Sequence, residues 1–165
     1  MVSDRRESNH DGARALAAVL RYVRSGIRST TEVRAYLRRR GLAGQAAEAV
    51  VAECRARGLL DDGAAARLWA EQWSRRGYAW SAIRLKLSAK GFDEQALAAA
   101  ERIHGTREQD EARARQVVAD RFRRRFPRGQ RVVQGRVART LVSRGFDSDV
   151  IDRVLNEAFG PIPSD

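Results

Sequence analysis

The sequence has few of the residues on which catalytic and disulfide-stabilised proteins depend. Cys54 is the only cysteine among 165 residues, which excludes an intramolecular disulfide and leaves no thiolate cluster for zinc. The two histidines, His10 and His104, lack a cysteine or histidine partner at the spacing of metal ligands. Neither GxxxxGK[ST] nor GxGxxG occurs, so no glycine-rich phosphate loop is expected. We therefore predict no enzymatic activity, no catalytic residues, no metal and no cofactor.

Long apolar runs and lysine are also scarce. No run approaches the length of a membrane span, and the polar N-terminus lacks the apolar segment of a signal peptide, so we expect a cytoplasmic protein without membrane contact. Lys86 and Lys90 are the only lysines, yet abundant arginine gives a net charge of +11. Such a surplus predicts an anionic partner, either acidic protein or nucleic acid, although arginine on solvated helix faces is the simpler interpretation.

A helix–glycine–helix pattern occurs three times. Gly91 follows Gly41 by 50 positions, and Gly145 follows Gly91 by 54. A basic residue precedes each glycine, and apolar residues stand four and eight positions before it and six after it. These apolar residues are Val33, Leu37 and Ala47, then Ile83, Leu87 and Leu97, then Val137, Leu141 and Ile151. Three copies in register predict an internal repeat, of which residues 81–103 form the clearest copy.

The remaining periodicity is helical, and no convincing strand is present. Ser29 and Glu32 have the spacing of a capping box, Asp93 can cap a helix, and Asp61 or Asp62 suits capping better than shared acid–base chemistry. The predicted fold class is all-α, with three tandem three-helix repeats. Its boundaries are a disordered N-terminal tail at 1–12, repeats at 13–58, 59–105 and 106–160, and a C-terminal tail at 161–165.

The aromatic residues cluster in the second repeat. Trp69 and Trp73 are four apart, which is the spacing of a core stripe, and Cys54 lies on the apolar stripe of its own helix. Tyr78 and Trp80 lie at a helix junction, where both packing and exposure to a partner are open.

Basic residues crowd the helices before the three glycines. The helix dipole favours a cation at a helix C-terminus by about 0.3–1 kcal/mol, which can account for the recurrence but leaves the surplus unexplained. We predict that these cations form a broken basic strip that binds the partner. The strip consists of Arg38, Arg39, Arg40, Arg84, Lys86, Lys90, Arg136, Arg139 and Arg144.

Taken together, these features resemble the RecX regulators of the RecA recombinase, from about Ala13 to Phe159. The resemblance rests on the following segments: Leu59–Asp62, Trp69…Trp73…Gly77, Ile83…Leu87…Lys90-Gly91-Phe92, and Ser143–Asp147 followed by Ile151. The first repeat departs from the pattern, with Leu42-Ala43-Gly44 where the others have Phe-Asp, which leaves the boundary of its third helix uncertain.

The resemblance implies an elongated, curved arrangement of the repeats and a role in DNA repair and homologous recombination. It implies binding along the groove of the RecA–single-stranded-DNA filament, with inhibition of RecA ATPase, strand exchange and coprotease activities. The expected partners are RecA and single-stranded DNA, bound by a monomer.

Two other interpretations stay open. Three-helix units of this length also describe tandem helix-turn-helix or Myb-like repeats of a free-standing DNA-binding protein. Myb-like repeats space tryptophans through every copy, whereas the three here lie between Trp69 and Trp80. A purely structural helical scaffold is disfavoured by the charge of +11.

Overall fold

The computed structural model describes the backbone of residues 2–122 and 130–160 and the side chains of residues 12–120 and 132–160. Within these ranges the chain forms nine helices and no strand. They are α1 (Val2–Arg24), α2 (Thr30–Arg39), α3 (Gly44–Ala56), α4 (Asp62–Arg75), α5 (Trp80–Ala89), α6 (Glu94–His104), α7 (Arg107–Phe122), α8 (Gln130–Ser143) and α9 (Ser148–Phe159). The predicted all-α class of three successive three-helix sets is confirmed.

Helix α1 begins earlier than the sequence predicts. It runs from Val2, so the segment predicted to be a disordered tail at 1–12 is helical from its second residue. The prediction of disorder rests on the absence of an apolar periodicity in this segment. A helix needs no such periodicity to propagate, and this segment contains no proline to interrupt its backbone hydrogen bonds. The predicted C-terminal tail, 161–165, lies outside the described residues.

The helix N-termini follow the predicted capping residues. Ser29 Oγ accepts the backbone N–H of Glu32 at 3.1 Å, and the Glu32 carboxylate accepts the N–H of Ser29 at 2.9 Å. This is the predicted capping box. Asp61 and Asp93 each accept the backbone N–H three residues further on, both at 2.9 Å. Local sequence therefore sets where α2, α4 and α6 begin.

The middle helix of each set, α2, α5 or α8, ends in the same glycine turn. Gly41, Gly91 and Gly145 have φ of 82°, 78° and 84°. In each turn the N–H after the glycine bonds the carbonyl five residues back, at 3.0, 3.3 and 3.2 Å respectively. Such a turn requires a residue in the left-handed conformation, which glycine adopts without steric cost, and an apolar residue commonly follows it. This turn accounts for the recurring glycine–apolar pair.

By its packing the chain divides into two compact units, Met1–Trp69 with Leu87–Ala99 and Ala70–Lys86 with Ala100–Asp165. A core cluster of the first unit contains Val19, Val33, Leu37, Ala47, Val50, Val51, Cys54 and Leu60. A core cluster of the second unit contains Ala79, Ala114, Val117, Val118, Val133, Val137, Leu141, Phe146, Val150, Ile151, Val154 and Leu155. Burial raises the pKa of the Cys54 thiol, which agrees with its predicted packing role. The boundaries of the three repeats stay predictions.

Two of the three glycines also contact the preceding set of helices. Thr31 Oγ1 donates to the carbonyl of Gly91 at 2.8 Å, and Ser81 Oγ donates to the carbonyl of Gly145 at 2.6 Å. A Cβ on Gly91 would lie 2.6 Å from Thr31 Cγ2, and one on Gly145 would lie 2.9 Å from Ser81 Oγ. A Cβ on Gly41 would meet nothing within 4 Å. Gly91 and Gly145 therefore permit a close approach that Gly41 does not make.

A second hydrogen bond accompanies each of these contacts. The N–H of Thr30 donates to Asp62 Oδ1 at 2.7 Å, and the N–H of Trp80 donates to Asp110 Oδ1 at 2.9 Å. These N–H groups begin α2 and α5 and have no partner within their own helices. We call Thr30, Thr31, Asp62 and Gly91 the first joint, and Trp80, Ser81, Asp110 and Gly145 the second joint. Each joint lies within one compact unit.

We predict that Gly91→Ala destabilises the protein more than Gly41→Ala. In both variants the new alanine must adopt a left-handed conformation, which costs about 1–2 kcal/mol. Only the Gly91→Ala methyl group would also press on Thr31, and such overpacking adds about 1–3 kcal/mol. Urea unfolding followed by far-ultraviolet circular dichroism measures both variants. Equal losses would contradict the close approach at the first joint.

Candidate partner-binding surface

The nine predicted cations of the basic strip differ in exposure. The exposed members are Arg38, Arg39, Arg40, Arg136 and Arg139. The half-buried members are Arg84, Lys86, Lys90 and Arg144. The exposed cations thus belong to α2, its C-cap and α8, whereas α5 and the turns at both joints carry the half-buried ones.

The cation before each repeated glycine lies over an aromatic ring. Measured to the ring centroid, Arg40 Cζ lies 4.8 Å from Tyr36, Lys90 Nζ lies 4.2 Å from Trp69, and Arg144 Cζ lies 5.9 Å from Tyr78. A cation over an aromatic face is stabilised by about 0.5–1 kcal/mol at an exposed site. The recurring cation therefore has a packing role beyond its interaction with the helix dipole.

Lys90 and Arg144 also hold the joints. Lys90 Nζ lies 3.2 Å from Glu32 Oε1, with 24% and 23% of the two side chains exposed, and Ser29 Oγ donates to the Lys90 carbonyl at 2.7 Å. At the second joint, Arg144 Nη1 donates to the Gly77 carbonyl at 3.5 Å, and the N–H of Ala79 donates to the Arg144 carbonyl at 3.0 Å. These contacts assign Lys90 and Arg144 a structural role.

The cations of α5 are engaged within the fold as well. Lys86 Nζ lies 4.7 Å from the ring centroid of Tyr78. Arg84 Nη1 lies 3.8 Å from a carboxylate oxygen of Glu101, and Trp80 Nε1 donates to the other oxygen at 3.0 Å. Trp80 is buried and Tyr78 half-buried. Of the two possibilities for these aromatics, the structure therefore supports packing.

Four arginines of the strip have neither a carboxylate nor an aromatic ring as a partner in the part of the chain that the structure describes, unlike Arg40 and Arg144, which lie over tyrosine rings. No described carboxylate lies within ion-pair distance of Arg38, Arg39, Arg136 or Arg139. Arg34, also on α2, shows the contrast. It donates two hydrogen bonds to Glu48, at 2.7 and 2.8 Å, which raise the pKa of Arg34 and lower the pKa of Glu48. The four guanidinium groups are therefore available for a bidentate contact with a partner's carboxylate or phosphate.

The sequence analysis does not identify Glu111, a buried carboxylate that pairs with three arginines. It lies 3.5 Å from Arg107, 3.2 Å from Arg115 and 3.2 Å from Arg153. Arg115 also donates to Glu157 at 2.8 Å, which lowers the pKa of that carboxyl. The i,i+4 spacing of Arg107, Glu111 and Arg115 was the available signal. These arginines tie α7 to α9 and are not free to bind a partner.

Metal-binding clusters and membrane-spanning helices are both absent among the described residues. No group of three His, Cys, Asp or Glu side chains there is placed to hold a metal ion. No helix there combines the length and apolarity needed to cross a membrane.

Comparison with known proteins identifies the family. A family model described as RecX, third three-helix domain, matches residues 108–155. The regulatory protein RecX of Thermobifida fusca is 31% identical over 147 residues, covering 88% of this chain and 78% of the relative. The chain belongs to the RecX family. RecX of Streptomyces coelicolor is 32% identical over 147 residues, covering 87% of this chain and 77% of its own length.

Solved RecX structures share the fold. The crystal structure of RecX from Lactobacillus salivarius aligns with a TM-score of 0.76 at 21% identity, over 90% of this chain and 97% of that chain. A second crystal structure, of a regulatory protein RecX, gives a TM-score of 0.72 at 22% identity, over 90% and 73%. The resemblance stated from the sequence is confirmed, and the RecX family is one of regulatory proteins.

We predict that Lys90→Ala lowers stability whereas Arg39→Ala does not. Lys90 would lose a half-buried ion pair and its contact with Trp69, together about 1–2 kcal/mol. Arg39 is exposed, and its truncation should change stability by less than about 0.5 kcal/mol. Denaturant midpoints of the two variants provide the comparison. Indistinguishable midpoints would contradict the structural role of Lys90.

Proposed function

We propose that this RecX protein binds along the groove of the filament that RecA forms on single-stranded DNA and inhibits RecA. The inhibited activities are ATP hydrolysis, strand exchange and coprotease activity. The protein acts as a cytoplasmic monomer, through binding alone and without chemistry of its own. Membership in a family of regulatory proteins supports the regulatory role.

The observation that carries the proposal is the set of unpaired arginines Arg38, Arg39, Arg136 and Arg139. A RecA–DNA filament presents carboxylates and phosphates, and a guanidinium binds both with two parallel hydrogen bonds. These four side chains are exposed, and binding them would break no ion pair to a described residue. The other members of the basic strip stay predicted contacts, but each also holds a contact within the fold.

Charge reversal of these four arginines tests the proposal. We predict that the variant Arg38→Glu, Arg39→Glu, Arg136→Glu and Arg139→Glu inhibits RecA at least about tenfold less effectively, a loss of about 1.4 kcal/mol. The measurement is the DNA-dependent ATPase of RecA, titrated with each variant. Far-ultraviolet circular dichroism checks that the helices are retained.

A matched control separates location from net charge. Arg21, Arg24, Arg76 and Arg102 are also exposed and lie outside the basic strip. Their simultaneous change to Glu gives the same net charge, and this control should keep most of the inhibition. Full inhibition by the folded test variant would refute the nominated arginines. An unmodified chain that bound DNA with a steep salt dependence, and had no effect on RecA, would favour the free-standing DNA-binding alternative.

A further inference from the structure

Two apolar side chains lie exposed beside the second joint. Leu85 on α5 is 72% exposed and Val142 on α8 is 63% exposed, the two highest values among the large hydrophobic residues that the structure describes. Leu85 follows Ser81 by four residues, and Val142 precedes Gly145 by three. Leu85 lies one helical turn from Ser81 on the same helix face, and the Val142 carbonyl accepts the N–H of Gly145 at 2.9 Å. Both residues therefore lie close to the hydrogen bond that joins Ser81 to Gly145. We call Leu85 and Val142 the apolar pair.

The fold does not use the apolar pair. The neighbouring core positions on these two helices, Ile83 and Leu141, are fully buried. Leu85 and Val142 lie on other faces, where water surrounds most of each side chain. A single exposed leucine or valine would need no explanation. Two such residues within a turn of one joint indicate an interaction surface.

The first joint offers an internal comparison. The offsets of 50 and 54 residues place Ala35 of α2 where α5 has Leu85, and Ser88 of α5 where α8 has Val142. Both joints have the same hydroxyl-to-carbonyl hydrogen bond, yet these two positions are small or polar at the first joint. The hydrogen bonds of a joint therefore do not require large apolar residues at these two positions.

Three cations lie close to the apolar pair along its two helices; Arg139 is exposed, whereas Arg84 and Lys86 are half-buried and also contact Glu101 and Tyr78. Arg84 and Lys86 flank Leu85 in the chain, and Arg139 precedes Val142 by three residues. An apolar centre with a charged rim has the composition of a protein–protein interface. Nucleic acid offers such a centre little, because its backbone is charged and its bases stack on aromatic or guanidinium planes.

We propose that the apolar pair is the docking point for a protein surface on the RecA filament, an apolar side chain bordered by carboxylates. This inference rests on the proposed function and specifies which component of the filament the second joint contacts. The cationic rim selects a surface of opposite charge. The apolar centre excludes water from the contact and supplies the part of the binding that salt does not weaken.

The test measures a double variant, Leu85→Ser with Val142→Ser, on two targets. One target is a labelled oligonucleotide coated with RecA, and the other is the same oligonucleotide alone. We expect the double variant to bind the filament at least about tenfold more weakly, with unchanged binding to the bare oligonucleotide. Fluorescence anisotropy titrations measure both, and circular dichroism confirms the fold.

The chain supplies a matched control. Leu68 and Val132 are 49% and 47% exposed, and Val132 lies on the same helix as Val142 but thirteen residues before Gly145. Serine at both positions removes similar apolar surface away from the second joint. This control should bind both targets within about twofold of the unmodified chain.

Three outcomes would overturn the inference. Unchanged filament binding by the Leu85→Ser, Val142→Ser variant would show that the apolar pair contacts nothing. Equal weakening on both targets would place DNA, not protein, at the second joint. An unmodified chain that failed to bind the filament would overturn the proposed function and the inference together, which distinguishes that failure from the first two.

Discussion

The carbonyl group of a glycine in a left-handed turn accepts a hydroxyl hydrogen bond from the helix set before it. Thr31 makes this bond to Gly91, and Ser81 makes it to Gly145. A side chain on either glycine would occupy the space that the hydroxyl needs. The same glycine ends its own helix, so helix termination and attachment to the preceding set depend on one residue. The same hydrogen bond, from a hydroxyl group to a glycine carbonyl, therefore links the first helix set to the second and the second to the third.

The basic side chains fall into two classes, those held by contacts within the fold and those left exposed. Lys90 and Arg144 lie at the joints, over aromatic rings and against backbone carbonyls or carboxylates. Glu111 engages further arginines between α7 and α9. The count of 32 basic residues thus overstates the number of cations available to a partner. The unpaired arginines of α2 and α8 are the proposed binding residues, because the fold leaves their hydrogen-bonding edges unused.

The sequence predicts those features of the fold that local interactions determine. Capping residues such as Ser29 and Asp93 and the glycine turns could be located, because each depends on neighbours within about one helical turn. Contacts between distant residues could not. Nothing in the spacing reveals that Thr31 contacts Gly91, sixty residues away, or that Lys90 pairs with Glu32. The basic strip groups side chains of the same charge, although only the structure shows which of them already have partners.

Electrostatic attraction and apolar contact act over different distances, and the second joint combines the two. Electrostatic attraction between exposed groups extends over a Debye length, about 10 Å at 0.1 M salt, so cations draw the protein to any polyanion. They discriminate poorly between a recombinase filament and free nucleic acid. An apolar contact acts only at van der Waals distance and only with a complementary surface. Ala35 and Ser88 provide no such contact at the first joint. The structural repeat thus supplies repeated attachment, while in the proposed complex selectivity for the protein of the filament would depend on Leu85 and Val142.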